Sequence, residues 1–107
     1  MIWRSAATND VLTTLNYNEP TLEQAFIPTR FPYTYALDYL RATCQTARNA
    51  SRAEVSGIVR RLVPDDETRK MVMADLALMY CEHYHVRVPE DYRIRPLDFT
   101  GPSGLTA

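Results

Sequence analysis

Residues 79–86, Met-Tyr-Cys-Glu-His-Tyr-His-Val, contain one of the chain's two cysteines and both of its histidines. Cys81, His83 and His85 could ligate a metal, or Cys81 and a histidine could act as thiol and base. If the stretch is helical, the spacing works against both. At about 100° per residue, side chains two apart point to nearly opposite sides of a helix. Cys81 and His83 therefore diverge, as do His83 and His85. Cys81 and His85 share a side, but that pair falls short of a zinc ligand set. Cys44 could add a third ligand, yet neither a Cys-x-x-Cys nor a His-x-x-x-His supports it. A nucleophilic thiol needs an electropositive, partly open setting, and Cys81 instead adjoins Glu82. The histidines are expected to close a core helix, where cations complement the last carbonyls.

Other chemistries find less support. Gly57, Gly101 and Gly104 are the only glycines, and they form no phosphate cradle. Asp65-Asp66-Glu67 reads as a solvated helix start favoured by the helix dipole, not as a catalytic carboxylate pair. Cys44 and Cys81 lie in apolar helical patterns and are expected to be reduced, buried thiols, with a single bridge between them left open. The sequence predicts no catalytic residue, no metal and no cofactor.

The elements that must position these residues follow from punctuation and periodicity. The seven prolines gather toward the two ends and leave 33–63 and 65–88 uninterrupted, so regular structure belongs there. Thr8-Asn9-Asp10 can cap a turn or two over Val11, Leu12 and Leu15. Thr21 to Gln24 has the spacing of a capping box and predicts a short helix over 22–27. Pro32 suits a first helical turn. Leu37, Leu40, Cys44 and Ala47 mark the buried stripe of a helix over 32–48. Ser51 and Glu54 make a capping box for a helix over 51–63, with Val55, Ile58, Val59 and Leu62 on one face. Gly57 inside that helix costs about 1 kcal/mol against Ala, which predicts close packing on a neighbour.

A last helix, 65–86, follows Pro64. Asp75 and Glu82 fall within about 40° of Met71 on the wheel and make one narrow acidic strip. The remaining arc is apolar, so most of this helix must be covered. Two preceding helices could cover part; the rest needs the terminal arms or another chain. After Pro89, Tyr92, Ile94, Leu97 and Phe99 alternate with charged residues in an extended arm. The expectation is one all-α domain of three main helices (about 32–48, 51–63 and 65–86) plus a short N-terminal helix. Residues 1–20 and 89–107 form extended arms around a helical core at 21–88.

The chain has 107 residues and a net charge of -1, with no global case for nucleic acid or anionic lipid. The distribution is uneven. Residues 41–64 sum to +4 through Arg41, Arg48, Arg52, Arg60 and Arg61, whereas residues 65–91 sum to -4. That arginine group could contact nucleic acid or an acidic partner. A helix-turn-helix over 51–86 would present Asp65, Asp66 and Glu67 to phosphate, which repels it. No apolar run is long enough to cross a membrane, and the start of the sequence does not read as a secretory leader. The protein is expected in the cytosol, or in a virion.

Protein binding remains. The last helix has excess apolar perimeter, and the arms carry Trp3, Tyr17, Tyr92, Ile94, Leu97 and Phe99 as candidate anchors. The opposed charge blocks could orient neighbours. The sequence therefore predicts a non-enzymatic interaction or assembly subunit, self-associating or bound to another protein, with a virus-type structural component as the leading kind. The alternative is a small inhibitor or regulator docking on another macromolecule, including nucleic-acid machinery.

Overall fold

A computed structural model describes residues 4–20 and 30–89. Four α-helices make up the described chain: α1 (Ala6–Thr14), α2 (Tyr33–Thr43), α3 (Arg52–Leu62) and α4 (Asp66–Tyr84). A single turn of 3-10 helix, Gln45–Ala47, lies between α2 and α3. α2 and α4 form the main helix pair, α3 lies on α2, and α1 lies on α4. The all-α reading is correct. The helix expected over 22–27 falls outside the described residues.

α1, α3 and α4 each start where a side chain satisfies a first-turn N–H group. The Ser5 hydroxyl accepts from the Thr8 N–H at the start of α1. At α3, the Ser51 hydroxyl accepts from the Glu54 N–H while the Glu54 carboxylate accepts from the Ser51 N–H, at 3.1 and 2.8 Å. This is the capping box read from the sequence. The Asp65 carboxylate caps α4 by accepting from the Thr68 N–H and hydroxyl. Those two bonds favour its charged form and hold Asp65 below the usual carboxylate range.

The helix expected over 32–48 is shorter and divided. Pro32, after a cis Phe31–Pro32 bond, sits just before the first helical residue. At the other end Cys44 turns to extended backbone, with φ -110° and ψ 127°. There the N-terminal segment takes over the hydrogen bonds that the helix would have made. Asn18 N–H donates to Thr43 O at 2.9 Å, Gln45 N–H to Asn16 O at 3.2 Å and Thr46 N–H to Leu15 O at 3.2 Å. Long-range pairing displaces local helix here, and no local signal announces it.

The predicted stripe Leu37, Leu40, Cys44 and Ala47 is buried. It meets Val55 and Val59 of α3, and Val72, Leu76 and Ala77 of α4, in one core. Leu76 has no exposed surface, so Leu76→Ala would cost about 2–5 kcal/mol through lost burial and the cavity left behind. α4 is indeed covered on most sides: α2 takes one, and α1, from the segment expected as an arm, takes another. Val11, Leu12 and Leu15 reach the same core.

Among the described residues nothing packs closely on Gly57, against expectation: a Cβ added there meets nothing within 4 Å. The acidic strip of α4 divides, Asp75 being only 5% exposed while Glu82 is exposed. The wheel placed Asp75 on the correct face of α4 but could not show that α1 lies over that face.

Candidate functional site

The residues singled out for chemistry are mostly engaged in holding the helices together. Cys44 and Cys81 are both free thiols, and both are buried. Burial pushes Cys81 up to about 11 and raises Cys44 as well, because an apolar setting disfavours thiolate. Protonated at neutral pH and enclosed, neither is poised as a nucleophile.

The histidines separate as the wheel requires, with one refinement. The His83 ring stacks on Tyr39, with centroids 5.8 Å apart and planes 20° from parallel. His85 is not helical. It terminates α4 in the left-handed conformation, φ 56° and ψ 41°, and the Val86 N–H returns to Cys81 O at 3.0 Å. The His85 N–H still completes the i, i+4 bond to Cys81 O, and the chain leaves the helix there. Among the described residues, no group of three His, Cys, Asp or Glu side chains could hold a metal.

The burial of two carboxylates, Asp38 and Asp75, escaped the reading of the sequence. Asp38 lies in α2 with its side chain 0% exposed. Arg52 clamps it with one edge of its guanidinium: Nε donates to Oδ1 at 2.9 Å and Nη2 to Oδ2 at 2.7 Å. Arg41 adds a third bond at 3.2 Å, and its Nε donates to Ala50 O at 2.8 Å. The α2–α3 corner is thus locked by a charge pair with bidentate geometry. The available signal was an aspartate inside Leu37-Asp38-Tyr39-Leu40 with an arginine three residues later. Asp75 of α4 accepts from the Ser5 N–H at 2.9 Å and the Thr8 hydroxyl at 2.7 Å, which binds α1 to α4. Among the described residues, every buried side-chain N or O atom has a hydrogen-bond partner.

The five arginines therefore do not form one basic surface. Arg41 and Arg52 are paired with Asp38, Arg52 with its side chain still half exposed, while Arg48, Arg60 and Arg61 are exposed as well. The candidate anchor Tyr17 is half-buried against this chain's own core, its hydroxyl 2.8 Å from that of the fully buried Tyr39. Tyr35, Tyr39, Tyr80 and Tyr84 continue this contact as an aromatic row along the α2–α4 seam. Trp3, Tyr92, Ile94, Leu97 and Phe99 lie outside the described residues.

Two surface features remain. An open groove of about 320 Å³ runs between α1 and the α3–α4 turn, lined by Val11, Leu62, Val63 and Pro64 with Asp10 and Asp65 beside them. The second is the outer side of α3. Ala53, Glu54, Arg60 and Arg61 are exposed there, and Gly57 lies among them with open space at its Cβ position. The sequence marks Gly57 for close packing on a neighbour, and among the described residues no neighbour fills that space.

Among the described residues, no helix is long and apolar enough to cross a membrane. Comparison with known protein families, curated proteins and solved structures returned no match.

Proposed function

We propose that this domain works by binding protein, as a self-associating unit or as a small subunit of a larger assembly, without catalysing a reaction. The observation that carries the reading is the outer side of α3. A helix packed chiefly on one neighbour keeps a glycine in its middle, where an alanine would fit and stabilise the helix by about 1 kcal/mol. Nothing among the described residues requires that glycine, whereas close approach by another chain would. The burial of both thiols and of Asp38 and Asp75 in structural roles weighs the same way against an enzyme.

The leading kind is a virus-type structural or assembly component, acting in the cytosol or in a virion; the alternation of apolar and charged residues over 92–99 supports it. The second reading is a small regulator that docks on another macromolecule, and the exposed Arg48, Arg60 and Arg61 favour an acidic partner for it.

Native mass spectrometry of the protein isolated gently from its own source tests the reading. The expected result is a discrete complex with itself or with a stoichiometric protein partner. A monomer that turns over a small molecule, with nothing bound, would overturn it.

A further inference from the structure

From the arrangement of α3 we infer that two copies of this chain pair through the outer face of that helix, antiparallel, about a two-fold axis at Gly57. The inference rests on the protein-binding reading and names the partner as a second copy.

The argument is charge complementarity under symmetry. Glu54 and Arg61 are seven residues apart, so they lie within about 20° of each other on one edge of the outer face. Gly57 lies between them in height: Glu54 is about 4.5 Å toward the N-terminus and Arg61 about 6 Å toward the C-terminus. A two-fold axis perpendicular to the helix and passing beside Gly57 reverses height and keeps each edge on its own side. It brings Glu54 of one copy to within about 1.5 Å, along the axis, of the level of Arg61 in the other. The symmetric contact forms at the same time, so one interface contains two ion pairs of one kind, as a closed two-fold interface requires.

The opposite edge carries Ala53 and Arg60, and the same operation sets Arg60 beside the partner's alanine, not beside another arginine. At the centre the two Gly57 positions face each other. The open Cβ space there lets the helix backbones approach closely. Glu54 caps α3 through Oε1, which leaves its other oxygen for the partner. Both residues are exposed. The face is a single 11-residue helix, so the contact is smaller than a standard interface and the pair is concentration-dependent.

Sedimentation velocity on the full chain across a wide concentration range provides the test. The unmodified protein shifts from monomer toward dimer. Glu54→Arg sets arginine against arginine, Arg61→Glu sets glutamate against glutamate, and each loses the dimer. An equimolar mixture of the two variants regains it, because both cross-contacts are again of opposite sign. Gly57→Gln, whose side chain enters open space in the single copy, keeps the helical circular dichroism and loses the dimer. The pairing is overturned by a monomer at every concentration, by a dimer indifferent to the charge reversals, or by a mixture that stays monomeric. If the protein is monomeric alone but bound to another protein in its source, the self-pairing falls and the protein-binding reading stands.

Discussion

Asp38 is enclosed between α2 and α3, and two guanidinium groups reach it there. Removing one partner of such a cluster leaves like charges together and a polar hole in the core. Asp38→Ala is expected to destabilise by about 2–4 kcal/mol, at or below the usual range for breaking buried pairs because both arginines keep water contact. Urea unfolding measures it, and a loss under about 1 kcal/mol would show that the clamp contributes little. Gly57 gives the opposite sign. Its added Cβ meets nothing within 4 Å, so Gly57→Ala should stabilise the single copy by up to about 1 kcal/mol. A fall in thermal midpoint at low protein concentration would mean that this backbone position is packed after all.

At the scale of elements, α1 is the least secured helix. It has nine residues, too few for independent stability in water, so its packing on α4 must hold it. Val11, Leu12 and Leu15 supply the apolar part, and the Asp75 carboxylate with Ser5 and Thr8 supplies the polar part. Thr8→Val keeps the shape but removes a hydroxyl donor from a buried carboxylate, at a cost of about 1–3 kcal/mol. Hydrogen exchange should locate the effect: amides of α1 exchange faster while those of α2 and the middle of α4 do so much less. An equal acceleration in every helix would mean that α1 is not a separate unit. The ends of α2 show the same dependence. The Cys44 backbone leaves the helix because Asn16 and Asn18 pair across it.

At the scale of the molecule, the core is unusually rich in groups that titrate at high pH. Burial, chiefly, raises Tyr80 to about 12 and Cys81 to about 11, and it raises Tyr39 further still, against ordinary values of 10.0 for tyrosine and 9.0 for cysteine. The folded chain therefore holds these protons more tightly than the unfolded chain does. Their contribution to stability is complete below the unfolded values and is lost as pH rises through the folded ones. The urea midpoint should fall steadily as pH increases from below 9 to about 11 and beyond, and Cys81→Ala should flatten the first part of that fall. A midpoint independent of pH across the window would show that these groups are hydrated in the fold.

The helical class, the three main helices, the Ser51–Glu54 cap and the stripe Leu37, Leu40, Cys44 and Ala47 were determined by the sequence alone, because periodicity and capping act between residues at most a few positions apart. The separation of Cys81 from His83 was determined in the same way, since it needs only the helical repeat. What lay on top of each face was not. Asp75 and Glu82 share one side of α4, yet only α1, some 70 residues from Asp75 along the chain, decides that one is buried and the other exposed. Likewise Arg41 reaches Asp38 within α2, three residues along the same helix, but only the turn after α2 brings Arg52 onto that carboxylate, while Arg48, Arg60 and Arg61 stay exposed. Charge, wheel position and glycine content are properties of a segment. Burial belongs to the pair of segments that meet, and only the tertiary structure names the second one.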